Sequence, residues 1–344
     1  MDWGKGMAMR GTAMSIIGAL LVLAGIALAA MTAHSLLNYR AAASLHGGEV
    51  VDLGADAQPQ PGQHGYMVRV VGTPKVVEAP RDPEFNLSVN TPVLVRHVEM
   101  FQWRELRIGG VVHYEMDWVD HLIDAANFQE SKGHANPDSF PLSGKEFDSG
   151  LALVGGFKLG PVLLHALPGA QPVTPDPAAL PENLAASFSR YQDYLVTSAR
   201  PGDPRLGDVR VSWSEVPLQQ VTIVARLDGD RLVAATDAAD GNGHVVQIGD
   251  MPVLDIFPDL PIPPEFVWSW RILAVLLASL GAFVLLVARR NRRDVALALG
   301  LGALAVGIVS SVLWLGYSMR TAGMWLAVAA LGAALTWWRL RRTH

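Results

Sequence analysis

The densest group of side chains able to do acid–base or metal chemistry lies within residues 99–124. Its members are Glu99, Gln102, Arg104, Glu105, His113, Glu115, Asp117, Asp120, His121 and Asp124. Carboxylates paired with histidines can bind a metal ion or transfer protons. The spacing fits neither a zincin nor an EF-hand, and His113 and His121 are too far apart for one helical turn. A strand pair with alternating charged faces explains the same residues without chemistry, and we favour it.

The segment from Asp237 to Gly243 is a second stretch rich in oxygen ligands. Asp237 and Asp240 precede a Gly-Asn-Gly turn. The segment lacks the alternating aspartates and the distal glutamate of an EF-hand, so a solvated turn is the better interpretation. The sequence contains no phosphate-binding loop, dinucleotide fingerprint, nucleophile elbow or cysteine. We therefore expect no enzyme activity, no cofactor and no metal site.

Four apolar stretches set the architecture that must position these residues. Each has roughly the 20 residues that a helix needs to cross the hydrocarbon core of a bilayer. We predict membrane helices at residues 15–38, 267–288, 295–316 and 322–338. The first also has signal-peptide features, but its apolar run is longer than usual, which favours an uncleaved anchor. The expected fold is a membrane protein with four transmembrane α-helices, one N-terminal and three C-terminal.

The distribution of Lys and Arg predicts the side of the membrane that each segment occupies. Short loops rich in these residues stay in the cytoplasm. They cluster before the first span, between the second and third, and after the fourth, while Arg40 and Arg271 argue weakly for the opposite orientation. The expected segments are a cytoplasmic N-terminus at 1–14, a cytoplasmic Arg-rich loop at 289–294, a cytoplasmic tail at 339–344 and an extracytoplasmic domain at 41–266.

The predicted extracytoplasmic domain is strongly acidic. Residues 41–266 contain 15 Lys and Arg against 30 Asp and Glu, whereas the whole chain has a formal charge of −5. An acidic surface is unsuited to nucleic acid and opposes flat docking on anionic lipid. The spans contain almost no ionisable residue, which disfavours a carrier or channel. The expected partners are the lipid bilayer and other membrane proteins, including further copies of this chain.

The domain has the pattern of a β-rich α+β fold. The predicted strands are 66–72, 93–105, 111–119, 187–197, 209–213 and 221–227, with hairpin turns at Gly109–Gly110 and Asp228–Gly229. We expect a polar connector over 41–65, a short helix over 118–128 and a buried core segment over 151–167. The alternative for 151–167 is an amphipathic segment that faces the bilayer or a partner. Prolines near 168–181 indicate a boundary between two subdomains.

Alternate residues of the strand at 93–105 share a face and form a mixed stripe of acidic and aromatic side chains. The stripe consists of Glu99, Phe101, Trp103 and Glu105. If this face is internal, the carboxylates need partners such as Arg107 or Arg210, because an unpaired buried carboxylate is costly. If it is exposed, an aromatic patch flanked by charge is typical of an interface anchor.

The most distinctive sequence block is Arg96–Glu105, R-H-V-E-M-F-Q-W-R-E. It resembles the block of the transmembrane protein 43 (LUMA) family that ends in V-E-M-Y-Q-W-x-E, with Phe101 in place of tyrosine. The other matching residues are Trp118, Asp120 and Ile123; Phe128, Gly133, His134, Asn136 and Pro137; Pro204, Gly207, Asp208, Arg210 and Val211; and the segment Val221–Arg226.

The resemblance implies a non-enzymatic scaffold of a membrane protein complex. Arg outnumbers Lys by 22 to 5 and Ala is abundant, which suits a bacterial source, so we expect a bacterial inner membrane with a periplasmic domain. The candidate structural or partner-binding residues are Glu99, Phe101, Trp103, Glu105, Trp118, Asp120, His134, Asn136, Pro137, Gly207, Asp208 and Arg210. Gly302 and Gly332 are candidates for helix packing, within one chain or between copies in a homo-oligomer. The alternative is a membrane-anchored periplasmic enzyme or metal-dependent sensor that uses the cluster at 99–124.

Overall fold

A computed structural model describes residues 3–290 and 293–342, with side chains for 12–289 and 293–342. The chain divides into two compact units, one made of Met1–Ala43 with Pro258–His344 and the other of Ser44–Phe257. The predicted Arg-rich loop at 289–294 includes two residues outside the described part.

The helices are α1 (Trp3–Leu45), α2 (Pro161–His165), α3 (Glu182–Ala185), α4 (Val253–Ile256), α5 (Val267–Arg290), α6 (Val295–Trp314) and α7 (Met319–Arg341). The strands are β1 (Val50–Ala55), β2 (Met67–Gly72), β3 (Lys75–Glu78), β4 (Arg81–Asp82), β5 (Leu87–Ser88), β6 (Val93–Ile108), β7 (Val111–Val119), β8 (Lys145–Asp148), β9 (Leu151–Val154), β10 (Phe157–Leu159), β11 (Gln171–Val173), β12 (Ser189–Tyr191), β13 (Tyr194–Val196), β14 (Val209–Glu215), β15 (Val221–Asp228), β16 (Arg231–Val233) and β17 (Val245–Ile248).

Four helices of the first unit are long and apolar enough to cross a membrane, which confirms the predicted class. Their apolar parts are Thr12–Leu45, Val267–Arg289, Val295–Trp314 and Met319–Arg341. The first helix extends past both ends of the predicted 15–38 segment. Charged and small residues do not break a helix as proline does, so apolarity alone underestimates its length.

Small residues let these helices pack backbone against backbone. A Cβ atom on Gly25 would lie 2.6 Å from the carbonyl oxygen of Ala274, and one on Gly302 would lie 2.5 Å from the amide nitrogen of Ser279. One on Gly332 would lie 2.6 Å from the amide nitrogen of Leu304. Gly302 and Gly332 therefore pack against helices of the same chain.

The second unit contains two large β-sheets whose strands interleave along the chain. One has the order β1-β2-β15-β16-β10-β9-β3 with β17 also paired to β15; the other has the order β12-β13-β14-β6-β7 with β11 and β8 added. Each sheet takes strands from before and after the proline-rich stretch. The predicted subdomain boundary at 168–181 is therefore wrong, because β14 and β15 return to sheets begun much earlier in the chain.

The first sheet surrounds β2 and β15, which pair antiparallel with Val70 opposite Ile223. The Asp228–Gly229 hairpin is confirmed, since Asp228 lies opposite Arg231. The predicted core segment 151–167 forms β9, β10 and α2 and contributes buried side chains such as Phe157 and Leu163. The polar connector was predicted too long: Val50–Ala55 forms β1, which pairs parallel to β2.

The second sheet is organised by the 16 residues of β6. Its Gly109–Gly110 turn to β7 is confirmed, with Ile108 opposite Val111. The short helix expected over 118–128 is wrong, because β7 continues to Val119 and a 3-10 turn at Ala125–Asn127 replaces the rest. The side chain of Gln102 explains this, since it bonds to the backbone of His121 and Ile123 and holds that segment extended.

A buried ion pair lies on the inner face of β6. The guanidinium of Arg96 lies 3.1 Å from both carboxylate oxygens of Asp82, which is fully buried. Trp213 donates its indole N–H to the same carboxylate over 3.0 Å. Two rings, Phe85 and Phe147, lie beside the guanidinium. Both carboxylate oxygens of Asp82 and the Nε and Nη1 atoms of Arg96 have partners here, as a buried charge requires.

Candidate functional site

The candidate site is the outer face of β6 together with the segments that cover it. Even-numbered residues of β6 from Leu94 to Gln102 are buried, while the predicted stripe on odd positions is half-buried. The stripe is thus neither a closed core nor an open surface. Segments from β7, β14 and the loop at 128–137 supply the groups that contact it.

Glu99 forms a bidentate ion pair with Arg210 of β14. These residues lie opposite each other in the ladder, and the Nη2 atom of Arg210 lies 2.9 Å from Oε1 of Glu99 while Nε binds Oε2. The guanidinium lies 4.8 Å from the Trp118 ring and 4.6 Å from the Tyr194 ring. Arg210 is one of the two partners proposed from the sequence. The fork geometry and the two rings fix its orientation, which a lysine would not reproduce.

Phe101, the next residue of the stripe, contacts its neighbours through both its backbone and its ring. Its N–H donates to the carbonyl of Asp208 over 2.8 Å, and its carbonyl accepts from Gly207 over 2.9 Å. Gly207 has a φ of 85°, a conformation that favours glycine. The Phe101 ring lies 5.3 Å from the Trp118 ring. The Gly-Asp pair thus extends the β14 ladder beyond the end of the regular strand.

The backbone N–H and carbonyl of Trp103 also have partners on the side away from β7, and here both belong to the side chain of Asn136. Asn136 accepts the Trp103 N–H at 2.8 Å and donates to its carbonyl at 2.9 Å. The same amide also donates to the carbonyl of Ile123. Pro137 follows it and lies against the position of Gly207. Asn136 therefore ties the loop at 128–137 to the edge of β6.

Glu105 lies at the centre of a polar and aromatic group. Its carboxylate accepts from the Gln129 N–H and from the hydroxyl of Tyr114 at 2.9 Å. The Gln129 amide, and after it the Tyr114 hydroxyl, lowers the pKa of Glu105 below its usual range. Burial raises the pKa of Tyr114. The His134 ring stacks on Tyr114 at 3.9 Å and meets Trp103 edge-on at 4.8 Å.

Asp120 lies apart from this network. It is highly exposed and forms a close pair with the equally exposed His121. The His121 hydrogen bond is the main cause that lowers the pKa of Asp120. Both residues line an open cleft of about 660 Å³, which also borders His97, Glu99 and Ser212. Among the described residues, no three His, Asp or Glu side chains are grouped as a metal site would require.

Eleven of the twelve predicted site residues of the domain therefore lie on or beside the β6 face, and Asp120 borders its cleft. Gly302 and Gly332 belong to the helical unit and take no part. The network also contains Tyr114, Tyr194 and Gln129, which the sequence did not predict as members. Tyr114 lies opposite Glu105 in the β6–β7 hairpin, so the register set by the Gly109–Gly110 turn could have predicted this contact. Tyr194 and the Gln129 amide have no comparable local signal.

The outer edge of β7 has open backbone groups. Phe101 and Trp103 direct their N–H and C=O groups away from β7, and they lie opposite Trp118 and Met116. In an antiparallel ladder such pairs both point outward, and the alternation repeats every second residue. Within the described part of the chain, β7 pairs only with β6. The outward groups of Met116 and of alternate residues before it are therefore available to another strand.

Comparison with known proteins places this architecture in a family. The family model described as transmembrane protein 43 matches residues 102–331. Transmembrane protein 43 of Rattus norvegicus and of Homo sapiens are each 25% identical over 219 residues, covering 57% of this chain and 54% of the relative. The Drosophila melanogaster homolog is 24% identical over 243 residues, covering 66% of this chain and 64% of the relative.

The match spans about half the length of the rat and human relatives. No solved structure matches the chain. The names of these relatives describe membrane proteins and contain no enzyme activity. The matched region begins at Gln102, so it includes Trp103 and Glu105 but not Glu99 or Phe101, and it reaches into the last helix. This chain is an integral membrane protein that belongs to the transmembrane protein 43 family.

Proposed function

We propose that this protein is a non-enzymatic membrane scaffold whose large domain binds an extended segment of a partner protein along β7. The observation that carries the proposal is the open outer edge of this nine-residue strand. Strand addition to such an edge satisfies backbone groups on both partners and gives affinity without a deep pocket. The network around Glu105, Asn136 and Arg210 holds the β6–β7 hairpin in place and so presents the edge.

The side chains beside the edge indicate the chemistry of the partner. Met116 is 41% exposed, and Val111 and Ile108 at the hairpin end are 59% and 63% exposed. Glu115 and Asp117 lie along the same strand, with Arg104 between them on β6. The domain as a whole has twice as many acidic as basic residues. We infer a partner segment with alternating apolar and basic residues.

The proposed topology has both termini in the cytoplasm and residues 41–266 outside, in the periplasm if the chain comes from the inner membrane of a bacterium. The arginine-rich segments 289–294, between two spans, and 339–344, after the last span, support this topology. Because the chain has no cysteine, a single cysteine at Ser88 or at Asn291 can be labelled uniquely. Asn291 lies outside the described residues. An impermeant reagent should label position 88 in intact cells, and labelling of position 291 from outside would overturn the topology.

Self-association is a second assembly mode that this proposal accommodates. The packing glycines are occupied inside the chain, so an oligomer would use the exposed face of α7, where Leu326 and Leu331 are 60% and 71% exposed. The mass of the particle in mild detergent distinguishes a monomer, a homo-oligomer and a complex with another protein.

The test of the scaffold role compares Met116→Pro with Met116→Ala in the full chain. Proline removes the outward N–H and adds a ring at the edge, whereas alanine leaves the backbone intact. We expect Met116→Pro to lose a copurifying partner while it stays folded, and Met116→Ala to keep it. Equal retention by both variants, or a stoichiometric metal in the purified protein, would contradict the proposal.

A further inference from the structure

Arg271 in α5 lies in a box of three tryptophans within the helical unit. Its guanidinium carbon lies 5.0 Å from the Trp268 ring, 5.7 Å from Trp314 and 5.8 Å from Trp325. The side chain is half-buried, and no carboxylate among the described residues lies within ion-pair distance of it. Aromatic rings attract a cation, but they do not replace an anion or water as its partner.

A second arginine approaches the same box. The guanidinium of Arg40, near the end of α1, lies 5.6 Å from the ring of Trp314. Trp314 is buried, with 1% of its surface exposed, and its ring lies near both guanidinium groups. Like charges near one ring repel each other, which makes an anion beside Arg271 more favourable.

A small cavity of about 80 Å³ lies directly against Arg271. Its other lining residues are Trp268, Thr321, Met324, Trp325 and Val328. Thr321 is in the first turn of α7, where its hydroxyl and its N–H both bond to Ser318. The lining therefore contains a cation, a hydroxyl group and the positive end of a long helix, and it contains no carboxylate. This chemistry suits an anion.

The depth of the cavity selects the kind of anion. Tryptophans concentrate at the level of lipid headgroups, and the exposed Trp268 lies at the start of α5. A cation at this level finds phosphate groups beside it, and the apolar lining residues suit the first carbons of a lipid. An ammonium headgroup would bring a second cation to Arg271, so a headgroup without one is favoured.

We propose that Arg271 and its tryptophan box bind the phosphodiester of an anionic glycerophospholipid on the membrane face where α1 ends and α5 begins. The site is separate from the β7 edge and does not depend on the scaffold role. It would hold one lipid in a defined place at the helical unit. It differs from general attraction of cations to membranes because it needs one particular arginine.

The test titrates the detergent-solubilised full chain with phosphatidylglycerol and with phosphatidylcholine and counts bound lipid by native mass spectrometry. Wild type should prefer phosphatidylglycerol. Arg271→Gln should weaken its binding about tenfold, the loss expected for a charge-assisted hydrogen bond. Arg320→Gln is the matched control, because Arg320 is an exposed arginine at the start of α7, next to Thr321 in the sequence. This control should change the affinity less than about twofold.

Two results would overturn the lipid assignment even if Arg271→Gln fails to fold. One is a wild-type protein with equal affinity for the two lipids. The other is displacement of phosphatidylglycerol by excess inorganic phosphate, which would indicate a site for a soluble anion. Equal losses in Arg271→Gln and Arg320→Gln would also contradict the proposal, because they would show general charge attraction.

Discussion

The side-chain amide of Asn136 takes the place of a neighbouring strand beside Trp103. It accepts the N–H of Trp103 at 2.8 Å and donates to its carbonyl at 2.9 Å. β14 ends its regular pairing with β6 at Met100, so the backbone of Trp103 would otherwise lack partners on that side. One asparagine thereby completes the sheet edge and anchors the loop that contains His134.

Truncation of this amide should destabilise the domain. Asn136→Ala leaves two half-buried backbone groups of Trp103 without partners, which should cost about 1–3 kcal/mol of unfolding free energy. Asn127→Ala is the matched control, because the Asn127 side-chain amide, among the described residues, donates only to the exposed side chain of Asp124. Thermal unfolding in mild detergent measures both. Similar losses in the two variants would contradict the role given to Asn136.

The two carboxylates on Arg96 should differ sharply in their effect on stability. Asp82 is fully buried, whereas the Glu84 side chain is 46% exposed and lies 2.7 Å from the same guanidinium. Asp82→Ala leaves Arg96 buried without its main partner and should cost about 3–5 kcal/mol. Glu84→Ala should cost less than about 1 kcal/mol. Chemical denaturation of the two variants checks this order, and a larger loss for Glu84→Ala would refute it.

Acid should remove the stabilising contribution of Glu105. The Gln129 amide and the Tyr114 hydroxyl lower its pKa in the folded protein. A group with a lowered folded pKa stabilises above its unfolded pKa, about 4.3 for glutamate, and that stability is lost as the pH falls through the folded value. The stability difference between wild type and Glu105→Gln should therefore be largest near neutral pH and vanish in acid. A difference that is constant from pH 7 down to about pH 3 would contradict this.

The packing glycines should affect the folding of one chain. Gly302→Ala and Gly332→Ala place a Cβ against the backbone of Ser279 and Leu304, which should cost about 1–3 kcal/mol by overpacking. Gly323→Ala is the control, because nothing lies within 4 Å of its Cβ position. Melting temperature and particle mass are measured together. A change in oligomer mass with an unchanged melting temperature would instead support packing between chains.

Regular patterns in the sequence predicted the parts of the fold that depend on local repetition. Apolar length predicted four membrane helices, and alternation in β6 placed Glu99 and Trp103 on one face with Met100 on the other. The sequence did not predict that β14 would return to β6, because that pairing joins residues more than a hundred positions apart. The Asp82–Arg96 pair joins residues only 14 positions apart, but Trp213, which donates to the same carboxylate, lies 131 positions from Asp82 and had no local pattern to predict it.

The glycines illustrate a different limit. Small residues in a span predict that another helix approaches closely, but the pattern is the same for a helix of the same chain and one of a neighbour. Only the position of Ser279 beside Gly302 decides between them. The candidate site was found through the family blocks, while its role in presenting β7 follows from hydrogen bonds such as that between Phe101 and Asp208.

Site-specific photocrosslinking in native membranes tests the proposed scaffold role most directly. A benzophenone side chain at Met116 should yield a discrete adduct with another protein, and Val112→Pro in the same chain should abolish it by blocking the edge. The same probe at Ile248, which is 55% exposed on β17 in the other sheet, should yield none. An adduct from Met116 that persists with Val112→Pro, or no adduct at all, would contradict strand addition at β7.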